Sequence, residues 1–269
     1  MKNIILIDFS KQTNKYVQYA IDFLANIEGA ELELVNMHNE EDGLVQLNSV
    51  KNDFPNSKIP LSVLHITGDI TVSLPKHIKQ DHIGFVFCGT HDIGFFDRLF
   101  MSETLDLFHQ IDANFVFLPE DIEEFKPIEH ALAPIMSDKH TVQELGPLLF
   151  LRHFMNFDLT LSTFSGDNEG QKSNTYVATK ILNENSVPYS IKYLGESESE
   201  LMNSLEDFAY GAEIGLISVV DFSEEHIFNY GERGFVEELI RNKHGIPVIT
   251  IQNKNLEHYA SFSTSGALS

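Results

Sequence analysis

The chain alternates short apolar runs with longer stretches in which apolar residues recur every three or four positions. Asn3 to Ile7 is apolar and ends in the polar turn Asp8-Phe9-Ser10. Val17, Ala20, Ile21, Leu24 and Ile27 then mark one face of an amphipathic helix, and Gly29 is placed to end it. Leu32 to Met37 reads as the next strand, so the opening is a βαβ unit, whose handedness favours a parallel sheet. Asn39 to Lys58 is expected to be helical, closed by Pro55 and Pro60. Leu61 to Ile66 is a third strand, followed by the turn Thr67-Gly68-Asp69 and a short helix or coil from Val72 to Gln80.

Ile83 to Cys88 carries no polar side chain, as a strand covered on both faces should read. It ends at Gly89, and a polar turn and a helical pattern through Leu99, Phe100, Leu107, Phe108 and Ile111 follow. Asn114 to Leu118 is a fifth strand. The acidic stretch Asp121 to Glu129, with Pro127, is the natural linker. After it the order repeats: strands at Ala131–Ile135, Leu159–Phe164, Tyr189–Tyr193, Ile214–Val220 and Ile246–Ile251. Between them lie helices at Thr141–Phe154, Gln171–Asn185, Glu198–Tyr210 and Gly234–Asn242. This predicts an α/β chain of two tandem Rossmann-like domains, 1–122 and 128–252, and a polar tail, 253–269.

Composition narrows the function. The 18 Lys and Arg stand against 40 Asp and Glu, a formal charge of −22, which argues against nucleic acid or an anionic membrane surface as partner. No run approaches the length of a membrane span, and the N-terminus enters a strand without a signal-peptide pattern, so a cytoplasmic location is expected. The single cysteine, Cys88, lies inside an apolar strand and is expected to be a buried thiol. The 12 histidines are scattered without metal-ligand spacing, so no metal centre is expected. No Gly-x-Ser-x-Gly elbow, Walker loop or catalytic carboxylate pair is present, so no catalytic residue is assigned and no enzyme is expected.

Ile4-Ile5-Leu6-Ile7-Asp8-Phe9-Ser10 before an amphipathic helix resembles the opening of universal stress proteins, where an aspartate ends the first strand. Gly89-Thr90-His91 after the fourth strand resembles their second landmark. Val236 to Arg241 leading to Ile246-Pro247-Val248-Ile249 closes the second half in the same style. The resemblance implies two adenine nucleotide alpha hydrolase-like domains, each a five-stranded parallel sheet flanked by helices. It also implies an internal pseudo-dimer of the two halves, further self-association into a dimer or binding to protein partners, and a role in stress response.

Nucleotide-binding members hold ATP through Gly-x-x-Gly, nine residues, then Gly-Ser/Thr. Glycines admit backbone amides to phosphate, and a helix N-terminus adds partial positive charge. Here Gly89 matches the first glycine, Asp92 stands at the second, Ser102 at the third and Glu103 at the Ser/Thr. The resemblance therefore implies a weakened nucleotide site of Asp8, Met37, Gly89, Thr90, His91, Gly94 and Ser102, open to ATP or AMP with Mg2+. Asp8 is either a ribose or adenine ligand or the cap of a turn. Gly89 is either a phosphate-approach glycine or a left-handed corner. In the second half Met136 or Ile135 replaces that aspartate, and Val219-Val220-Asp221 replaces the Gly-Thr-His corner. The reading that follows is a stress-response regulatory or scaffold protein with a degenerate site. The alternative is a functional ATP- or AMP-binding protein, with slow hydrolysis at the first-half site.

Overall fold

The computed structural model describes residues 1–36, 42–67, 70–90, 113–120, 125–220 and 235–251. The chain divides into two compact units, Met1–Glu124 and Phe125–Ser269. The boundary falls inside the acidic stretch between the fifth and sixth strands.

The first unit comprises β1 (Lys2–Leu6), α1 (Thr13–Leu24), β2 (Glu31–Asn36), α2 (Gly43–Asn52), β3 (Leu61–His65), α3 (Ile70–Asp81), β4 (Phe85–Gly89) and β5 (Asn114–Leu118). The strands are parallel in the order β3-β2-β1-β4-β5. Ile4, Ile5, Val86, Phe87 and Val116 have no solvent exposure, which is why these strands read as unbroken apolar runs. Phe23 of α1 meets Phe85 and Phe87 edge-on at 5.3 Å each, fixing the helix on β4. Cys88 is buried, and burial pushes its thiol up, so it stays protonated.

Two polar devices tie the strands of this unit together, one of them at their amino ends. The first is Asn3, fully buried. Its Nδ2 donates to the carbonyls of Met1 and Glu31, both at 3.1 Å, and its Oδ1 accepts from the Phe85 amide at 3.1 Å. One side chain thus satisfies backbone groups at the starts of β1, β2 and β4. The second is Glu33, 7% exposed in the middle of β2. It accepts from His77 of α3 at 2.7 Å and from Lys2 at 3.1 Å, and Lys2 also reaches Asp81 at 2.6 Å. Burial pushes the Glu33 carboxyl up, but these hydrogen bonds together hold it below its usual range.

Helix α3 contains the whole of the expected stretch from Val72 to Gln80 and runs through Pro75. A proline there removes an intrahelical bond. Leu74 and Ile78, each 1% exposed, anchor the helix on both sides of it.

The second unit repeats the plan with β6 (His130–Pro134), a 3-10 helix (Lys139–Glu144), α4 (Leu145–Arg152), β7 (Asp158–Thr163), α5 (Glu169–Glu184), β8 (Tyr189–Tyr193), α6 (Glu198–Gly211), β9 (Leu216–Val220), α7 (Phe235–Ile240) and β10 (Val248–Ile251). Its strands are also parallel, in the order β10-β9-β6-β7-β8. Taken in chain order, the two units have the same strand order. The helix expected over Thr141–Phe154 is divided in two. Gly146-Pro147 explains the break: Pro147 has no amide to donate, so it is accepted only in the first turn of a helix that starts at Leu145. The preceding turn is instead closed by Asp138, whose side chain accepts from the His140 amide at 2.7 Å.

Glu144 ends the 3-10 helix and is fully buried. Its Oε1 has no hydrogen-bond partner among the described residues, and burial pushes the carboxyl well above its ordinary value of 4.5.

Three outcomes are expected from chemical denaturation across pH. Asn3→Leu strands the Phe85 amide and the Glu31 carbonyl and should cost about 2–4 kcal/mol. Glu33 has a depressed folded pKa, so its contribution is present above the unfolded value and is lost as pH falls through the folded one. Glu33→Gln should therefore destabilise the protein at pH 7, with a gap that narrows towards pH 3. Glu144 has a raised folded pKa, so the stability it leaves intact at low pH declines as pH climbs from the unfolded value towards the folded one. Glu144→Gln should stabilise the protein at pH 8 and have little effect at pH 4.

Candidate functional site

In an open parallel sheet, ligands bind outside the carboxyl ends of the strands where the strand order reverses. In the first unit that point lies between β1 and β4. Leu6 and Cys88 are paired in register, so Ile7-Asp8 and Gly89-Thr90 leave the sheet at the same level. Asn36 and His65 end β2 and β3 beside them.

Backbone bonds tie this rim together. The Ile7 amide donates to the Val35 carbonyl at 2.8 Å, Ile66 to Asn36 at 2.9 Å and Thr90 to Leu118 at 3.0 Å. The Asn36 side chain adds a bond to the Ile7 carbonyl at 2.8 Å, placing the peptide that precedes Asp8.

Asp8 is partly buried and braces its own loop. Its Oδ1 accepts from the Ser10 amide at 3.0 Å and from the Thr13 hydroxyl at 3.4 Å. The Ser10 hydroxyl accepts from the Gln12 amide at 3.3 Å. Between them Phe9 has φ of 58°, a left-handed conformation that a side chain rarely adopts without such bracing.

Gly89 does not form a left-handed corner. It is the last residue of β4, paired with Leu118, and is not among the glycines of positive φ. Thr90 continues from it along β5. Met37, His91, Gly94 and Ser102 lie outside the described residues, as does Asp92. The structure thus brings Asp8, Gly89 and Thr90 to one rim.

It adds two residues that the sequence reading passed over, Asn36 and His65. The signal for both was a polar side chain ending an apolar strand. His65 is coupled to the start of α2, since a Cβ on Gly43 would lie 2.5 Å from the imidazole Cε1. None of Asp8, Asn36, His65, Gly89 and Thr90 is a Lys or Arg, so an anion here would meet no permanently charged base. Among the described residues no group of three His, Cys, Asp or Glu could hold a metal ion.

The second unit's rim is built from the same bonds and different chemistry. The Ile135 amide donates to Ser162 at 2.7 Å, as Ile7 does to Val35, so Met136 is the residue that stands where the first unit has Asp8. Thr163 takes the role of Asn36, donating to the Ile135 carbonyl at 2.9 Å. Val220 ends β9 where Gly89 ends β4.

The loop after β6 is then filled from within. Glu198, the first residue of α6, accepts from the Ser137 amide at 3.0 Å and from the Ser137 hydroxyl. Asn174 donates to the carbonyls of Met136 and Asp138, both at 2.8 Å. Thr141 donates to Pro134 at 2.8 Å and accepts from the Met136 amide at 3.2 Å. Residues 221–234, including Asp221, Arg233 and Gly234, lie outside the described ones.

No protein-family model matches the sequence, and no curated protein matches it. Solved structures do. A universal stress protein from Archaeoglobus fulgidus superposes with a TM-score of 0.68 at 13% identity, covering 93% of this chain and 96% of its own. A Pseudomonas aeruginosa protein assigned to the universal stress proteins gives 0.64 at 9% identity, covering 98% and 96%. The cytoplasmic domain of a prokaryotic cation chloride cotransporter gives 0.60 at 12% identity, covering 97% and 99%. At these identities the likeness is one of fold. No helix among the described residues is long and apolar enough to cross a membrane. The chain has the α/β fold of universal stress proteins, with its strand order laid down twice in tandem.

Proposed function

We propose that the protein is a cytoplasmic stress-response regulator of the universal-stress-protein type, acting through protein contacts, with a degenerate nucleotide site in its first unit. The observation that carries this reading is how the rim spends its polar groups. Asp8 gives an oxygen to Ser10 and Thr13, and Gly89 is tied into the β4–β5 ladder. In the second unit Met136 and Val220 replace them, and Glu198 takes the Ser137 donors. Neither rim offers a Lys or Arg among these residues, and the chain carries a charge of −22, so a nucleotide's phosphates meet an unfavourable field. The absence of a nucleophile–base pair from the motifs supports a non-enzymatic role.

A second reading keeps a working ATP or AMP site in the first unit. It is favoured by one contrast: Asp8, Asn36, His65 and Thr90 make that rim polar, whereas the second rim has Met136 where the first has Asp8 and Val220 where it has Gly89. Calorimetric titration of the whole chain with ATP and AMP, with and without Mg2+, separates the two. The expected result is no saturable heat in the micromolar range and no nucleotide turnover. Asp8→Ala is expected to lower stability by about 1 kcal/mol through the loop it braces and to leave those titrations unchanged. Micromolar binding that Asp8→Ala abolishes would overturn the scaffold reading in favour of the second.

A further inference from the structure

A groove of about 530 Å³ opens on the second unit between α5 and β8, beside Thr163 of that unit's rim. Such a volume suits a small organic ligand. Phe164, Ile191, Thr175 and Thr179 line it, Tyr176 and Tyr193 stand at its sides, and Gln171 and Lys172 face it.

Three features distinguish it from a surface dimple. First, its end is rigidly built. The Ser165 amide and hydroxyl both bond to the Gly195 carbonyl, at 3.0 and 3.1 Å, and Gly166 lies so close to the Glu196 carbonyl that a Cβ would sit 2.0 Å from it. Second, Gln171 is 4% exposed and half satisfied. Its Nε2 donates to Thr163 at 2.7 Å and Thr175 at 3.1 Å, while its Oε1 takes no hydrogen bond. That oxygen opens on the groove rather than into the sealed core, so it is an accessible acceptor for a ligand. Third, Tyr176 and Tyr193 are 69% and 61% exposed, and neither they nor Phe164 packs against another ring. Their faces are available.

The charge of the surroundings selects the ligand. The loops that meet at Gly166, residues 165–170 and 194–200, carry Asp167, Glu169, Glu196, Glu198 and Glu200 and no base. Lys172, the one cation of the lining, is paired with Asp167. Aromatic faces, an open amide acceptor and a negative field together recognise a donor-bearing cation. We propose that this groove is a binding site for small organic cations, such as aromatic amidinium or ammonium compounds, seated between Tyr176 and Tyr193 with an N–H on Gln171 Oε1.

The proposal is tested on the whole chain by following its backbone amides by NMR during titration with benzamidine, with benzoate as the anion of matching shape. Saturable shifts confined to residues 164–179 and 191–195 are expected with benzamidine and not with benzoate. Tyr176→Leu and Tyr193→Leu keep apolar bulk and remove the ring face. Each should weaken benzamidine about two- to five-fold, the loss of one exposed cation–π contact. Both sites are exposed, so the variants should retain the parent's spectrum elsewhere. Equal binding of benzoate, shifts centred elsewhere, unchanged affinity in both variants, or no saturable response would each overturn the assignment.

Discussion

A parallel strand covered on both faces can hide its side chains, but its backbone ends must still find hydrogen-bond partners. The rest of this structure depends on how that requirement is met. At the amino ends of the first unit the work falls to Asn3, which serves three strands at once. At the carboxyl ends it falls to Asn36 in one unit and Thr163 in the other, each holding the carbonyl of the residue that follows the central strand. The polar residues that catch the eye at the rims are largely employed in this way. Asp8 looks like a ligand because a carboxylate at a switch point is conspicuous, yet it accepts the amide and hydroxyl of its own turn.

The two units show how one backbone plan tolerates different chemistry. The backbone bonds are matched pair by pair at both ends of the strands, from Ile7 and Ile135 at the rims to Gly84 and Gly215 at the amino ends, whose amides donate to Lys2 and His130. Side chains are free to change where the backbone is satisfied by other means. Asn3 is matched by Ala131, and Asp8 by Met136. The loop that Asp8 braces in one unit is held by Thr141 and Asn174 in the other. Counting on from Met136, Glu144 stands where the first unit has Tyr16, whose hydroxyl reaches the Pro119 carbonyl. A phenol finds a partner at that depth; a carboxyl there is pushed by burial well above its usual range.

Much of the fold could be read from periodicity. Strands such as Phe85–Gly89 and Asn114–Leu118 are unbroken apolar runs because both faces are covered, and α1 carries its buried residues at helical spacing. Readings faltered where one residue answers to two demands. Pro75 and Pro147 are helix breakers by local rule. The first sits inside a helix held by flanking anchors, and the second converts one expected helix into two. Glu33 looks like a solvated residue in an alternating strand, and only the arrival of Lys2 and His77 from distant parts of the chain makes its burial tolerable. At the candidate site, Asp8, Gly89 and Thr90 could be placed because each ends or follows an obvious strand. His65 and Asn36 also end strands, but what they do there depends on contacts across strands that no short spacing encodes.

The seat taken by Glu198 has a consequence for how the two units can respond to their surroundings. A carboxylate delivered by the same chain has already lost its freedom of association, and its local concentration does not fall on dilution. Any external anion seeking the Ser137 amide must displace a group that is never far away. The donors of Ser137 are therefore closed off by the chain itself, and their occupation does not depend on any solute outside the protein.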